Sequence, residues 1–133
     1  MKIMKKAFTL IELLVVISIV AILVSTITLS FANAQKKARD SRRMEDMNSI
    51  QKALEMYYGQ NNYKYPDSLS TLVPGYVQEV RNDPKTTTPY PVSIGNTGYC
   101  ICADVENKNE ANSAGTGCTF SGVRDYYCVK NRQ

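Results

Sequence analysis

The feature that most constrains this chain is a long uncharged stretch. Residues 13–35 contain no charged side chain, and only Ser18 interrupts the apolar residues of 13–24. About 20 consecutive apolar residues are enough for a helix to cross the hydrocarbon core of a bilayer. From Lys36 onward the sequence is polar and rich in Asn, Thr, Tyr and Gly, and the whole chain has 133 residues. This length leaves room for one globular unit at most, so the sequence predicts a hydrophobic N-terminal helix followed by a small polar head.

A membrane anchor is one interpretation of this stretch, and a secretory signal peptide is another. Lys2, Lys5 and Lys6 precede it, and the tripeptide Ala-Asn-Ala at 32–34 fits a small-residue cleavage site. The apolar core of a signal peptide has only about 7–15 residues, however, and this one is longer. We therefore favour a retained helix, and the alternative is a soluble secreted binding domain released after Ala34.

Glu12 lies at the very start of the apolar stretch. An ionised side chain inside hydrocarbon costs on the order of 2.5–3.5 kcal/mol, so it needs a partner. If the chain is cut just before Phe8, a free α-amino group appears four residues upstream of Glu12, on the same helical face. That ammonium can pair with Glu12 of its own chain or of a neighbour. We therefore predict that Phe8 and Glu12 form a docking contact in an assembly.

Residues 5–16 read KKAFTLIELLVV. This run resembles the N-terminal signal of type IV pilins and pseudopilins, which is a short basic leader, a small residue and then Phe-Thr-Leu-Ile-Glu-Leu before an apolar core. The resemblance implies that a prepilin peptidase cuts between Ala7 and Phe8 and N-methylates Phe8. It gives Glu12 the role of the acidic residue near the mature N-terminus. Ala7 stands where the family usually has Gly.

The resemblance also implies the fold and its division. The expected fold class is α+β: the type IV pilin fold, with a long N-terminal α-helix packed on a small antiparallel β-sheet head, here stapled by disulfides. The leader would occupy residues 1–7 and the transmembrane or filament-core half of the helix residues 8–35. The amphipathic half of the helix would occupy residues 36–59, and the globular head residues 60–133.

The function implied by the resemblance is structural. The chain would be the major subunit of a type IV pilus, a helical filament for adhesion, twitching motility or DNA uptake. The alternative within the family is a major pseudopilin of a type II secretion or competence pseudopilus. Its partners would be further copies of the chain, the membrane, the prepilin peptidase, an assembly ATPase and a platform protein.

The expected location is the cytoplasmic membrane before assembly, as a single-pass protein with its head outside, and an extracellular filament afterwards. Three lysines precede the hydrophobic stretch and five Lys and Arg residues follow it at 36–43. The positive-inside rule alone would therefore place the head in the cytoplasm. All four cysteines occur from Cys100 onward, which indicates an oxidising compartment. We give the cysteines and the leader motif more weight than the charge count.

Helical periodicity continues past the hydrophobic stretch. Met47, Ile50, Leu54 and Tyr57 form one apolar stripe suited to packing on a sheet. A helix over residues 8–58 would be about 75 Å long, so lipid or other subunits must cover the part that a small head cannot. The opposite face of the helix carries polar residues: Arg43, Asp46, Gln51, Lys52 and Glu55.

The basic run at residues 36–43 raises DNA or anionic lipid as partners. The alternative is a solvated stop-transfer face, with Asp40, Glu45 and Asp46 close enough to pair with the basic side chains. We expect the solvated face and keep DNA or another surface ligand as a secondary partner of the filament.

In the head, residues 91–94 and 99–105 predict the two strands of a β-hairpin joined by Gly-Asn-Thr-Gly at 95–98. Residues 123–130 predict a third strand. The acidic and amide residues within 104–117 are expected to form a solvated surface loop.

Cys100 and Cys102 are two residues apart on one predicted strand, so they share a face and are badly placed to bond each other. Each is therefore expected to pair with Cys118 or Cys128, and the sequence leaves the pairing open. A structural zinc site is the rival interpretation, but the paired C-x-x-C knuckles of such sites are absent. We expect disulfides, and neither a metal site nor a cofactor.

Catalytic chemistry has little support in this sequence. It contains no histidine, the commonest acid–base group near neutral pH. It also has no phosphate-binding loop and no activated nucleophile pairing. We therefore predict no catalytic residues and expect a protein that is not an enzyme.

Overall fold

The structure is a computed structural model that describes the backbone of residues 8–131 and, in that range, every side chain outside 26–29. By its internal contacts the chain divides into two compact units, one up to Gln35 and the other from Lys36 onward. The elements in chain order are helix α1 (Leu10–Gln60), a 3-10 turn (Leu69–Leu72), strands β1 (Val92–Gly95) and β2 (Gly98–Asp104), a second 3-10 turn (Lys108–Glu110) and strand β3 (Tyr126–Lys130).

Helix α1 runs from Leu10 to Gln60, within two residues of the predicted bounds at each end. No proline interrupts the sequence before Pro66, so every residue of the helix can donate its backbone N–H. The helix ends where Asn62 and Tyr63 take φ angles of 54° and 59°. This left-handed conformation is a common way for a helix to stop.

The sheet of the second unit has three antiparallel strands in the order β1-β2-β3. The predicted hairpin is confirmed, and the pairing of Gly95 with Gly98 leaves a two-residue turn. The third strand is shorter than predicted because β2 ends at Asp104, which pairs with Tyr126. Residues 123–125 therefore have no β2 residue opposite them.

The two faces of β2 have different neighbours, as the alternation of side chains along a strand requires. Tyr99, Ile101 and Ala103 belong to the buried core of the second unit. Cys100 and Cys102 point to the other face, where they form disulfides. The sheet is thus packed on one side and covalently tied on the other.

The core confirms the predicted apolar stripe of α1. Met47, Ile50 and Leu54 are buried, and Tyr57 packs at the edge of the same cluster. The other buried members are Ala53, Tyr65, Leu72, Tyr90, Tyr99, Ile101, Ala103 and Val129. The helix and the sheet are therefore the two layers of the head, which matches the predicted α+β class.

Candidate functional site

The first candidate site is the start of α1. The backbone N–H and the hydroxyl of Thr9 both donate to Glu12 Oε2, at 2.9 and 2.7 Å. The backbone N–H of Glu12 lies 3.4 Å from Thr9 Oγ1, and Leu13 N–H donates to the Thr9 carbonyl at 3.3 Å. This arrangement is a capping box, in which the two side chains satisfy backbone N–H groups at the helix start.

The capping box gives Glu12 a role that the sequence reasoning missed. The signal was available, since Thr9-Leu10-Ile11-Glu12 has the spacing T-x-x-E. Both Thr9 groups use the same carboxylate oxygen, Oε2. Within residues 8–131, Oε1 of Glu12 accepts no hydrogen bond, so one oxygen of this carboxylate is open to a further donor.

The apolar surface of α1 just beyond Glu12 is not covered by any other part of the described chain. Helix α1 contains a segment long and apolar enough to cross a membrane, and none of that segment is buried. Phe8 is exposed as well, while Ala7 lies outside the described residues. Water is a poor environment for a surface of this kind, so lipid or another protein must cover it.

A second candidate site lies in the head, where charged residues of α1 meet two loops. We call it the ionic cluster: Arg39, Asp40, Arg43, Asp83, Lys85 and Glu106. Three basic and three acidic side chains balance one another in this set. The Arg43 guanidinium lies at its centre, and the Arg43 side chain is only 2% exposed.

Arg43 contacts three carboxylates. It donates to Asp83 through Nε and Nη2, at 2.6 and 3.0 Å. Nη1 donates to Asp40 at 2.7 Å and to Glu106 at 3.2 Å. Bidentate guanidinium–carboxylate pairs are among the stronger hydrogen-bonded contacts in proteins. Arg43 therefore joins α1 to two chain segments that lie 40 and 63 residues away in sequence.

The other members of the ionic cluster complete these contacts. Arg39 forms a second bidentate pair with Glu106, at 2.6 and 2.9 Å, and Lys85 Nζ lies 3.2 Å from Glu106 Oε2. The Asp40 carboxylate accepts the backbone N–H groups of Glu106 and Asn107, at 3.0 and 2.8 Å. Each buried charge thus has partners, as burial demands.

The hydrogen bonds at Asp83 set its protonation state. Burial by itself raises the pKa of this carboxyl. The hydrogen bonds from Arg43 and from the backbone N–H groups of Thr86 and Lys85 outweigh burial and hold the pKa of Asp83 at about 2. The Asp83 side chain is therefore ionised throughout the neutral range.

Hydrogen bonds also outweigh burial in setting the pKa values of Glu106 and Arg43. Hydrogen bonds from Arg39 are the largest influence on Glu106, and together with Lys85 and Arg43 they outweigh burial and hold its pKa at about 2. Burial lowers the pKa of Arg43, but the hydrogen bonds to Asp83 and to its other carboxylate partners outweigh it and raise the pKa. Glu106 and Arg43 therefore both remain charged at neutral pH, as Asp83 does.

The expectation that the basic run at residues 36–43 is a solvated face is wrong for Arg43, which is 2% exposed. The nearby Asp46 is 5% exposed. Asp40, in the basic run, is fully buried as well. The reason is that loops cross this face: Asp46 Oδ2 accepts the Tyr90 hydroxyl at 2.8 Å. The loop at 104–117 also departs from expectation, because Glu106 is largely buried against α1.

Glu55 is a further polar contact between helix and sheet. Its Oε1 accepts the Tyr99 hydroxyl at 2.8 Å, and the Tyr65 hydroxyl lies 3.3 Å from both carboxylate oxygens. Burial and the neighbouring Glu55 charge raise the pKa of Tyr65 to about 12. The sequence places Glu55 on the polar face of α1, and in the structure it accepts hydrogen bonds from buried tyrosines.

Two disulfides close the outer face of the sheet. Cys100 bonds Cys118 and Cys102 bonds Cys128, with Cα–Cα distances of 5.9 and 4.1 Å. The four Sγ atoms lie within 4.8 Å of one another, a spacing that also suits a metal ion. With each sulfur bonded to another, none is a free thiolate ligand.

Comparisons with known proteins identify relatives. Residues 3–28 match the family described as the prokaryotic N-terminal methylation motif. The chain is 35% identical over 98 residues to the type IV wide pilus major component PilA4 of Thermus thermophilus, covering 74% of this chain and 72% of that protein. It is 33% identical over 95 residues to the type II secretion system core protein G of Aeromonas hydrophila, covering 71% of this chain and 62% of that protein. No solved structure matches the chain.

These relationships agree with the architecture. A long N-terminal helix, a small antiparallel sheet and disulfides in the head are the features that the sequence predicted for a type IV pilin fold. The methylation motif coincides with the start of α1 and its apolar surface. This chain belongs to the family of type IV pilins and pseudopilins, whose members are structural subunits.

Proposed function

We propose that this chain is the major subunit of a type IV pilus and assembles through the apolar half of α1 into a helical filament. The observation that carries the proposal is the uncovered membrane-length apolar segment of α1, at the start of which the methylation motif lies. The relative with the greater coverage is a major pilus component. Neighbouring subunits in a filament would cover the segment that lipid covers before assembly.

Processing is the first step of the proposed pathway. A prepilin peptidase removes residues 1–7 by cutting between Ala7 and Phe8, and it methylates the new α-amino group of Phe8. Thr9 keeps its backbone N–H after this cut, so the capping box with Glu12 is retained. The mature helix therefore starts with its cap intact.

Docking is the second step. The Phe8 ammonium of an incoming subunit pairs with Glu12 of a neighbour, or of its own chain, inside the apolar filament core. Support comes from the arrangement of the carboxylate, in which Thr9 occupies Oε2 and Oε1 is open. One carboxylate can then cap its own helix and accept an ammonium, which compensates for its burial among apolar side chains.

The proposed location follows from these steps. The subunit waits in the cytoplasmic membrane as a single-pass protein with its head outside, and an assembly ATPase and a platform protein add it to the base of the filament. The disulfides of the head suit an extracytoplasmic compartment. Adhesion, twitching motility and DNA uptake are the outcomes that such a filament can serve, with DNA or another surface ligand as a partner.

A pseudopilus is the second candidate function. It is favoured by the 33% identity to a type II secretion core protein. The two functions share processing and docking and differ in filament length, because a pseudopilus does not extend as a long surface fibre. Electron microscopy of the producing cells with an antibody to the head separates the two: labelled surface fibres support the pilus, and label confined to the envelope supports the pseudopilus.

The test of the whole proposal is the intact mass of the native protein, measured with and without reductant. A mature chain that starts at N-methylated Phe8, and that gains four hydrogens when its two disulfides are reduced, supports it. A chain that starts at Gln35 would instead mean cleavage after Ala34 and a soluble secreted domain, and it would end the filament proposal.

A further inference from the structure

One side of the head carries an apolar groove beside strand β1. The groove has a volume of about 1020 Å³, and its apolar lining includes Leu69, Val73, Val80, Pro89, Val92 and Ile94. Asp67 lies at the same groove, is exposed and forms no ion pair with any residue in the described range. We call this site the β1 groove.

Strand β1 gives the groove an open edge of backbone groups. It is an outer strand of the sheet, and the Cys102 N–H donates to the Pro91 carbonyl at 3.0 Å. Because hydrogen-bonded and non-hydrogen-bonded pairs alternate along an antiparallel ladder, the backbone groups of Val92 and Ile94 point away from β2. They have no backbone partner within residues 8–131, and such an edge readily accepts another extended segment.

A protruding loop of complementary character precedes strand β3. Residues 119–124, which we call the β3 loop, expose Val123 at 82% and Phe120 at 40%. Arg124 is exposed beside Val123 and forms no ion pair in the described part of the chain. None of the backbone N–H groups of residues 120–124 donates to a backbone carbonyl of the described chain. The loop thus offers apolar side chains, one cation and unpaired backbone donors.

The groove and the loop lie at different places on the head. The groove borders the edge strand β1, whereas the loop follows Cys118, which is bonded to Cys100 of the central strand β2. The β3 loop stays near its own strand, because the Lys130 ammonium lies 5.2 Å from the centroid of the Phe120 ring. Two complementary surfaces at different places on one chain join copies head to tail, and such contacts produce an open helical array when the rotation does not close a ring.

We propose that the β3 loop of one subunit docks in the β1 groove of a second copy of this chain, with Val123 in the groove and Arg124 facing Asp67. The proposal rests on the proposed filament, and it assigns a lateral contact between heads in addition to the packing of the apolar helices. The charges agree in sign, since the loop brings an unpaired cation and the groove an unpaired carboxylate. A second copy is the favoured occupant because both surfaces are present in every subunit at equal concentration.

The first test places a photo-crosslinking amino acid at position 123 of the full chain in cells that make filaments. Mass spectrometry of the isolated filaments is expected to show subunit–subunit crosslinks into residues 67–94. Filaments whose crosslinks from position 123 map elsewhere on the subunit, map to another protein or do not form overturn the proposal. The control carries the same amino acid at position 63, because Tyr63 is exposed and lies outside the loop and the groove. Absence of filaments in the unmodified strain would instead contradict the proposed function.

The second test uses charge reversal and does not depend on crosslinking. Arg124→Glu and Asp67→Lys are each expected to lower the amount of shear-recovered filament, by up to about fivefold for an exposed ion pair. The combined variant D67K/R124E restores the pair across the interface and is expected to recover the wild-type amount. Lys64→Glu, an exposed basic position outside both surfaces, is the control for net charge. Equal losses in the single and combined variants, at equal subunit levels, contradict the pairing.

Discussion

The Arg43 guanidinium donates two hydrogen bonds to the Asp83 carboxylate, from Nε at 2.6 Å and from Nη2 at 3.0 Å. The two residues are 40 positions apart in the sequence. Both side chains are largely shielded from water, at 2% and 9% exposure. The contact fastens the loop around Asp83 to the helix that also carries the core stripe of the head. The ionic cluster therefore holds distant segments of the head together, and its buried members Asp40, Arg43 and Asp83 should behave unlike ordinary surface charges.

Replacing Arg43 by Met should destabilise the head by about 3–5 kcal/mol, because removing the cation leaves Asp40 and Asp83 as uncompensated buried charges. Urea unfolding of the full chain in detergent, followed by near-ultraviolet circular dichroism of the head tyrosines, measures the change. The matched control is Arg42→Met at the exposed neighbouring position, expected within about 0.5 kcal/mol of wild type. Equal, small effects at both positions would mean that the cluster contributes little to stability.

The head should lose stability as the pH falls from about 4.5 to 2. Asp83 has an ordinary pKa of 3.8 and Glu106 of 4.5, and both pKa values are about 2 in the folded chain. A carboxylate with a lowered folded pKa contributes stability above its unfolded pKa and loses it as the pH drops through the folded value. For Asp83 alone this amounts to about 2 kcal/mol. Urea midpoints at a series of pH values measure the loss.

Asp83→Asn should reduce the loss of unfolding free energy between pH 4.5 and 2, because it removes one of the carboxylates that titrate there. It should also lower stability at neutral pH, because Arg43 then lacks a charged partner. The comparison variant is Glu45→Gln, a change of carboxylate to amide at an exposed site. This variant should lose unfolding free energy with falling pH as the wild type does. An unchanged loss in the Asp83 variant would show that other carboxyl groups govern acid unfolding.

The two disulfides should differ in their access to reductant. Cys102 and Cys128 are buried, whereas Cys100 and Cys118 are partly exposed. Limited treatment with a small phosphine, followed by alkylation and peptide mapping, should first label Cys100 and Cys118. Early labelling of Cys102 and Cys128 would contradict this order. Replacing both cysteines of either disulfide by Ala should lower the free energy of unfolding of the head by about 2–5 kcal/mol.

Two variants at the start of α1 separate the capping and docking roles of Glu12. Glu12→Gln retains a capping-box side chain, because Gln serves at this position as Glu does, but removes the charge. It should be processed normally, accumulate in the membrane and form few or no filaments. Thr9→Ala removes the capping hydroxyl but keeps the charge, and should still form filaments. Electron microscopy and intact mass give both readouts, and normal filaments from the Gln variant would show that the charge is dispensable.

Local patterns predicted the elements of the fold well. The uninterrupted helical periodicity predicted α1 to within two residues, and alternating apolar residues around Gly-Asn-Thr-Gly predicted the β1–β2 hairpin. These signals depend on neighbours a few residues apart, so they can be read without knowing the fold. The T-x-x-E spacing at Thr9 and Glu12 was equally local.

The buried charges could not be read in this way. Arg43 and Asp46 lie on the polar face of α1, and a polar face is ordinarily solvated. What covers them comes from far along the chain: Asp83 and Tyr90 lie 40 and 44 residues away from their partners. Helical periodicity carries no information about such distant loops.

The sequence by itself determined that a membrane-length apolar helix precedes a small disulfide-bonded head, and which family that combination indicates, because run length, spacing and a contiguous motif are properties of neighbouring residues. Only the tertiary structure decided that Cys100 bonds Cys118 and Cys102 bonds Cys128. It also decided that Arg43 is buried among carboxylates. Both outcomes depend on which distant segments fold against one another, and that is set by packing the whole core at once.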